Sequence, residues 1–218
     1  MTNISKYKRY VENKNIFLFF KRIFDILVSI IGILVMIVLT IVIKIVFVLG
    51  GDFSSIFFCH ERIGRYGKKF KIIKYRTMYK NAEDMLKEML KDPKYKKEWN
   101  KYHKFENDPR ITKTGNVLRR LSLDEIPQFI NILKGDMSLI GPRPLTLSEV
   151  EEYKENKYKL LSVRPGLSGW WAVNGRNNIL NSRRMKLELY YIDHLGIMID
   201  IKIFFKTFSK IITGEGAR

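Results

Sequence analysis

An uncharged apolar run from Ile26 to Ile43 is the feature that most limits what this chain can fold into. Ser29, Gly32 and Thr40 are its few weakly polar or small positions, so a helix here has no polar side to turn towards water. Apolar segments of about 20 residues match the hydrocarbon core of a bilayer. The sequence therefore predicts a membrane helix, to which we assign residues 21–50.

The flanks of this run bear on how the helix sits in the membrane. Residues 1–20 form a basic and aromatic lead-in, typical of an interfacial segment, and residues 51–70 are also basic. Because cationic flanks stay cytoplasmic, a helix that enters and returns to the same face satisfies both flanks, whereas a spanning helix violates the rule on one side. We expect a re-entrant helix. A single-pass helix is the alternative, because no proline or adjacent pair of glycines breaks the run.

The charge balance narrows the choice of partner. The formal net charge of +18 predicts an anionic partner, which leaves nucleic acid, an acidic lipid surface or a phosphorylated small molecule. The basic residues do not form one stripe and no recognised nucleic-acid-binding motif is present, so no nucleic acid is expected. One cysteine, Cys59, excludes an internal disulfide, and with three histidines it makes a Cys/His zinc site improbable.

Residues 51–218 are predicted to form one domain of the α+β class, mostly helical. A turn at residues 62–69 lies between two segments rich in β-forming residues, which predicts a small β-hairpin with Lys74 and Arg76 on one face. Amphipathic patterns predict helices at residues 81–90, 94–103, 148–161 and about 200–212. In the last of these, lysines recur every four residues opposite an apolar side, which is typical of an interfacial helix on anionic membrane lipid.

Two adjacent carboxylates, Asp124 and Glu125, stand out in this basic chain. The pattern Ser122-x-x-Glu125 also matches a helix capping box, but Pro127 would then lie inside the helix, where proline removes a backbone hydrogen bond. We therefore expect the helix to begin at Asp124 or Glu125, with both acids beside the exposed N–H groups of its first turn. Consecutive helical residues project about 100° apart, so the two acids suit different tasks, one as nucleophile and one as metal ligand.

Arg143 is the second candidate, because it lies between Pro142 and Pro144. Each proline restricts the backbone on one side, and a pre-organised arginine suits bidentate binding of phosphate. Arg164-Pro165-Gly166 and Asn174-Gly175-Arg176 have turn chemistry suited to a functional loop. For Trp170 and Trp171, which lie between these two segments, core packing is at least as good an explanation as an aromatic platform or an interface anchor.

Taken together, the motifs resemble one family. In chain order they are Lys21-Arg22-x-Phe24-Asp25, the apolar helix, Glu61-Arg62-x-Gly64-x-x-Gly67, Lys74-Tyr75-Arg76-Thr77-Met78, Leu121 to Gln128, Lys134 to Pro144, and Arg164 to Gly169. This series is similar to that of the bacterial sugar transferases, the monotopic polyprenyl-phosphate phosphoglycosyl transferases. Residues 81–107 resemble the insertion of the galactose- and glucose-1-phosphate transferases of exopolysaccharide and O-antigen assembly. Members of the family usually carry Ser-Pro midway through the membrane helix, where this chain has Val35 to Thr40.

The resemblance implies a two-step reaction. The aspartate at Asp124 would attack the β-phosphate of a UDP-sugar and release UMP, and undecaprenyl phosphate would then take the phosphosugar from the enzyme. Glu125 would be associated with Mg²⁺. The phosphate- and nucleotide-binding residues expected on this basis are Lys74, Arg76, Arg119, Arg143, Arg164 and Arg176.

The expected location is the cytoplasmic face of the bacterial inner membrane, with residues 51–218 as the cytoplasmic catalytic domain. The reaction would be the first membrane step of capsule, exopolysaccharide or O-antigen assembly. Two other functions stay open at this point: a membrane-anchored basic binding protein, and a scaffold of polysaccharide assembly that shares the fold without catalysis. The sugar, the polymer and the oligomeric state, including a homodimer, are not determined by the sequence.

Overall fold

A computed structural model of the chain describes residues 5–102, 105, 107–175 and 179–213. Its helices are α1 (Ser5–Lys8), α2 (Asn15–Leu49), α3 (Ala82–Met89), α4 (Pro93–Tyr102), α5 (Lys113–Arg120), α6 (Gln128–Lys134), α7 (Leu147–Glu151), α8 (Lys157–Leu160), α9 (Trp170–Val173), α10 (Asn181–Asp193) and α11 (Ile197–Thr213). Its strands are β1 (Phe57–Ile63), β2 (Lys69–Tyr75), β3 (Ser138–Ile140) and β4 (Gly166–Ser168). The mostly helical fold with one long apolar helix and a small hairpin is confirmed.

Helix α2 is the axis of the fold. It has 35 residues and is therefore about 50 Å long. It begins earlier than predicted, because the apolar pattern extends back through Ile16. By length and composition α2 is able to cross a membrane. Most of its large apolar side chains are exposed, whereas one stripe is buried; that stripe comprises Asp25, Ser29, Gly32, Met36, Ile43 and Phe47.

The rest of the chain packs along this stripe over most of the length of α2. Near one end, Asp25 accepts hydrogen bonds from the Ser138 hydroxyl and from the backbone N–H of Leu139. In the middle, the Phe129 ring lies so close to Gly32 that an added Cβ would be 2.5 Å from it. Towards the other end, the Tyr75 hydroxyl donates to the Met36 carbonyl at 3.1 Å. The polar body thus lies beside the helix and not beyond one of its ends.

Strands β1 and β2 form the predicted hairpin. They pair antiparallel, with Phe57 opposite Tyr75 and Ile63 opposite Lys69. The turn between them needs positive φ at Tyr66 (62°) and at Gly67 (80°), which the glycine adopts at no steric cost. The amide of Asn131 on α6 bonds the outer edge of β2, accepting from the Ile73 N–H and donating to the Lys71 carbonyl. This contact fixes β2 against the helix that follows the acidic pair.

A second sheet was not predicted. Strands β3 and β4 pair parallel, with Ser138 opposite Gly166 and Ile140 opposite Ser168. Each strand has three residues, too few for an alternation pattern to register. Glycines allow the close approach: a Cβ on Gly166 would lie 2.0 Å from the Gly141 nitrogen. This sheet connects the Pro-Arg-Pro segment to the loop that carries Arg164.

Part of the lead-in packs against the body, because Tyr7 and Val11 are buried in the main core and Tyr7 contacts Tyr66 and Tyr158. The interfacial location of residues 1–20 stays a prediction. One sequence prediction needs correction. The helix predicted at residues 148–161 is broken into α7, a 3-10 turn at Lys154–Asn156, and α8. Lys154 has φ +50°, a left-handed conformation that an uninterrupted α-helix does not contain.

Helix α11 has three sides. Ile199 and Ile203 face the core, and on the next turn of the helix the Thr207 hydroxyl forms a hydrogen bond with the Ser168 hydroxyl. A second side exposes the large apolar residues Ile197, Met198, Ile201, Phe204, Phe205 and Phe208. Lys202, Lys206 and Ser209 form an exposed polar side. A helix with an exposed apolar side and a cationic side is typical of a membrane interface.

Candidate active site

The acidic pair lies in a 3-10 turn at Leu123–Glu125, between α5 and α6. The expected helix start at Asp124 or Glu125 is therefore corrected: α6 begins at Gln128, with Pro127 at its N-cap position. The rejection of the capping box is upheld, since Ser122 has φ +55° and makes no side-chain cap. The left-handed Ser122 turns the chain sharply after α5, and the 3-10 turn then carries both carboxylates.

Two cations from different elements approach the pair. Lys74, near the end of β2, donates to Glu125 Oε1 at 2.8 Å. Arg119, on the last turn of α5, is close enough to Asp124 to interact with its charge. Burial raises the pKa of the half-buried Asp124 above its usual value, and the charge of Glu125 raises it further, while Lys74 and Arg119 oppose the rise. A carboxylate stripped of water in this way is more reactive once ionised.

Arg119 is itself held in place. Its Nε donates to the Thr77 hydroxyl at 2.9 Å, and Thr77 accepts the Thr112 backbone N–H at its carbonyl. Helix α5 can lie this close to Thr77 only because residue 115 is glycine: a Cβ there would be 1.9 Å from the Thr77 carbonyl oxygen. Burial lowers the pKa of Arg119 from its ordinary value, and the charges of Asp124 and Asp108 oppose that effect.

Arg76 is engaged elsewhere. Its guanidinium donates to Asp52 Oδ2 at 2.7 Å and to the Ser54 hydroxyl, and also to the backbone carbonyls of Ser55 and Met78. It also lies over the Phe47 ring at the end of α2. These contacts join the loop after α2 to the end of the hairpin. Arg76 lies one residue beyond the end of β2, and it binds different groups from Lys74.

Arg143 belongs to a second charged cluster, formed by Arg62, Arg143, Arg184, Glu149 and Glu188. Arg62 and Arg184 lie 3.5 and 3.6 Å from the two carboxylate oxygens of Glu149. Arg143 stacks over the Trp171 ring, with its guanidinium carbon 5.5 Å from the ring centroid. The contacts of Arg143 connect it to this cluster, whereas Lys74 and Arg119 are the cations at the acidic pair.

The two remaining arginine predictions are Arg164, which lies just before β4, and Arg176. Arg164 donates to the Gly135 carbonyl at 2.7 Å, and Arg22 donates to the Ile132 and Leu133 carbonyls. Both arginines thus satisfy carbonyl groups at the C-terminal end of α6, which favours cations. Arg176 lies outside the described residues. No contact tests phosphate binding by any of the six residues, so these assignments stay predictions.

The site's donors fit a magnesium ion held partly by substrate. Within the described parts of the chain, no group of three or more His, Cys, Asp or Glu residues is placed to hold a metal. Mg²⁺ is usually bound through one or two carboxylates together with substrate phosphates and water. Glu125 supplies such a carboxylate, so the site fits a metal that arrives with a diphosphate and is not held by a complete protein cage.

Sequence reasoning missed Glu188, a fully buried acid on α10 that is 1% exposed. A signal was present, because Glu188 shares one helix face with Tyr191 and Ile192, which are also buried. An acid on an apolar face is expected to have a specific partner. That partner is Tyr153, whose hydroxyl donates to Glu188 Oε2.

Comparison with known proteins identifies one family for most of the chain. The model of the bacterial sugar transferase family matches residues 16–214. The chain is 40% identical over 200 residues to an undecaprenyl-phosphate galactose phosphotransferase of Salmonella typhimurium, covering 91% of this chain and 42% of that protein. It is 38% identical over 198 residues to the exopolysaccharide production protein ExoY of Sinorhizobium fredii, covering 90% of this chain and 87% of ExoY.

A third relative is the UDP-N-acetylgalactosamine-undecaprenyl-phosphate N-acetylgalactosaminephosphotransferase of Aeromonas hydrophila, 36% identical over 210 residues. These residues cover 93% of this chain and 46% of that relative. The chain thus spans less than half the length of the Salmonella and Aeromonas proteins and most of the length of ExoY.

Proposed function

The chain belongs to the bacterial sugar transferase family, and on that premise we propose that it transfers a sugar 1-phosphate from a UDP-sugar to undecaprenyl phosphate. The products are UMP and an undecaprenyl diphosphate sugar, the first membrane-bound intermediate of a capsule, exopolysaccharide or O-antigen. The observation that carries the proposal is a half-buried carboxylate pair between two cations from separate elements, Lys74 and Arg119. Such a site suits phosphoryl transfer, which needs charge neutralisation and positioning.

In the first step a carboxylate oxygen of Asp124 attacks the β-phosphorus of the UDP-sugar. A new P–O bond forms to Asp124, the bond from the β-phosphorus to the bridging oxygen breaks, and UMP leaves with that oxygen and its electron pair. Lys74 and Arg119 offset the charge that develops on the phosphoryl oxygens and on the leaving group. Because Asp124 is partly withdrawn from water, the mixed anhydride is protected from hydrolysis.

In the second step a phosphate oxygen of undecaprenyl phosphate attacks the same phosphorus, and the bond to Asp124 breaks to regenerate the carboxylate. Exposed apolar side chains on and after α5, Val117 and Leu121, are near the acidic pair in sequence and offer a surface for a lipid acceptor. Glu125 is the proposed ligand for Mg²⁺, which when bound would neutralise the diphosphate of the donor.

We place the enzyme on the cytoplasmic face of the inner membrane. Because α2 is one uninterrupted helix from Asn15 to Leu49, the expected return to the same face through a break in the helix is not supported, and both ends stay on that face only if α2 lies along the interface. The support is the packing of the polar body along α2 from Asp25 to beyond Met36. A perpendicular spanning helix would draw β2, which carries Lys74, into the hydrocarbon region, where an ammonium group is costly. The cytoplasm is also where nucleotide sugars are available to Asp124.

The direct test is release of UMP from a panel of UDP-sugars, with undecaprenyl phosphate and Mg²⁺ supplied. UDP-galactose and UDP-N-acetylgalactosamine come first in the panel, because those sugars appear in the names of two relatives. Acceptor-dependent UMP release with at least one sugar is expected. Failure with every sugar, in a preparation that unfolds cooperatively, would reject the proposal and favour a non-catalytic scaffold.

Lys74→Ala is expected to lower kcat/KM for the donor about 100-fold, because it removes a preorganised cation from the developing charge. Lys71→Ala is the matched control, since Lys71 is an exposed lysine on the same strand and its backbone contact to Asn131 survives the change. UMP release measured over a range of donor concentrations checks both variants. Equal losses in the two variants would argue that Lys74 acts only through the general charge of the protein.

The membrane placement of α11 predicts a labelling pattern. In a Cys59→Ser background, single cysteines at positions 204 and 208 are expected to resist a water-soluble maleimide in native membranes, because Phe204 and Phe208 lie on the exposed apolar side. Cysteines at positions 202 and 209, on the polar side, are expected to react. Denaturation in SDS should make all four react equally. Rapid labelling at positions 204 and 208 before denaturation would show that this side faces water.

A further inference from the structure

Glu188 is a buried titratable group that the two proposed steps do not use. It lies on α10 and is 1% exposed. Buried carboxylates are rare unless they are paired, since removing the charge from water is costly. Its neighbours therefore indicate what this acid does.

The two oxygens of Glu188 join separate segments. Oε1 accepts the backbone N–H of Arg143 at 3.3 Å, and Oε2 accepts the hydroxyl of Tyr153, which follows α7. Arg184, one turn earlier on α10, and Arg143 both place positive charge near the carboxylate. Glu188 therefore connects α10 and the segment after α7 to the Pro-Arg-Pro turn.

The contact with Arg143 has a consequence that follows from covalent structure. Proline has no backbone N–H, so Pro142-Arg143-Pro144 contains a single backbone donor, that of Arg143. That donor is directed to Glu188. The prolines restrict φ within the turn, and the hydrogen bond from the Arg143 backbone N–H to Glu188 fixes the position of the turn relative to α10.

We propose that Glu188 is a positioning residue that holds the Pro142–Pro144 turn, so that the Arg143 side chain is presented to the anionic donor. The inference rests on the proposed function and on the expectation, drawn from the family resemblance, that Arg143 contacts phosphate or nucleotide. Within the described residues, Nε of Arg143 is buried without a hydrogen-bond partner, so the hydrogen bond that fixes the turn comes from the backbone N–H of Arg143 and not from Nε. Trp171 supports the same guanidinium by stacking.

The hold on Arg143 depends on the ionisation of Glu188. Burial raises the pKa of Glu188 to about 7, against the hydrogen bond from Tyr153 and the charges of Arg184 and Arg143. Tyr153 faces Glu188 from the segment after α7. Glu149 on α7 raises the pKa of Tyr153 through its charge and pairs with Arg184. An ionised acceptor makes the stronger hydrogen bond, so the turn is expected to tighten as the pH rises through about 7.

Glu188→Gln tests this directly, because glutamine keeps the shape of the side chain and removes the charge. We expect KM for the UDP-sugar to rise roughly tenfold while kcat stays within about twofold, because the variant loses one charge-assisted hydrogen bond. In the native protein kcat/KM should increase as the pH rises through about 7, and in Glu188→Gln that increase should be absent. Glu155→Gln, which removes an exposed acid, should behave like the native protein.

A second readout does not require activity. The fluorescence of Trp171 should change with an apparent pKa near 7 in the native protein, because Arg143 lies over its ring, and Trp171→Phe identifies that contribution. The change should be absent in Glu188→Gln. If the native protein released no UMP from any donor, the proposed function would fail, and this titration would still decide whether Glu188 holds the turn.

Two results would overturn the inference. The first is a Glu188→Gln variant with native KM, native pH dependence and native Trp171 titration. The second is a variant that loses kcat and thermal stability together at unchanged KM, because that pattern describes a core defect and not a positioning effect.

Discussion

Replacing Asp124 with asparagine is expected to reduce UMP release by at least about 1,000-fold, since the amide cannot form the phosphoryl bond on which the proposed reaction depends. Asn has nearly the same size and keeps the 3-10 turn, so the fold should persist. The sharpest measurement omits the lipid acceptor. Native enzyme mixed with a UDP-sugar and Mg²⁺ should then release UMP in a burst equal to the enzyme concentration, and Asp124→Asn should release none.

Asp84→Asn is the matched control for this experiment. Asp84 is an exposed acid on α3 that pairs with Lys87, so its replacement removes one negative charge from a residue to which no catalytic role is assigned. A native burst in this control would exclude an effect of net charge. A native burst in Asp124→Asn would remove Asp124 as nucleophile and favour direct transfer between the two substrates.

Gly115→Ala is expected to be among the most damaging small substitutions in the described chain. A Cβ at this position would lie 1.9 Å from the Thr77 carbonyl oxygen and 2.7 Å from its carbon. Alanine is the better helix former by about 1 kcal/mol, but the clash involves backbone on both sides and cannot be relieved by a side-chain rotation. We expect a net loss of about 3 kcal/mol, the upper part of the range for overpacking.

Thermal unfolding in one detergent, at one protein concentration, measures this effect. A loss of that size lowers the melting temperature by roughly 6–12 °C in a chain of this length. Activity should fall as well, because α5 must move away from Thr77 and Arg119 loses its hydrogen bond at that residue. Gly196→Ala is the control: the nearest atom to its added Cβ is 3.9 Å away. A native melting temperature for Gly115→Ala would contradict the close contact between α5 and Thr77.

Local signals in the sequence were sufficient for several elements. The uncharged run predicts α2, and Gly64 and Gly67 in a basic turn predict the hairpin, because both signals arise within one short segment. The acidic pair was recognisable for a related reason: Pro127 excludes the helix that a capping box at Ser122 would begin. These inferences depend on backbone sterics and on water, which act the same way in any fold.

Other features depend on residues distant in the chain. The sequence assigns the same expected role, binding of phosphate or nucleotide, to Lys74, Arg76, Arg119 and Arg143. In the structure Arg76 binds Asp52 and the loop after α2, and Arg143 interacts with Glu149 and Glu188. The parallel pairing of β3 with β4 is equally long-range. An arginine satisfies whichever oxygens the fold brings to it, so its partner cannot be read from its neighbours in the chain.

The sequence by itself determined the long apolar helix, the hairpin and the presence of an acidic pair before a proline, because hydrophobic periodicity and proline sterics are local. The tertiary structure alone decided that Lys74 and Arg119 are the cations at that pair. It also decided that Arg76 binds Asp52, that Arg164 binds the Gly135 carbonyl, and that Glu188 accepts the backbone N–H of Arg143. The reason is physical: buried charges require partners, and packing determines which partners lie within hydrogen-bonding distance.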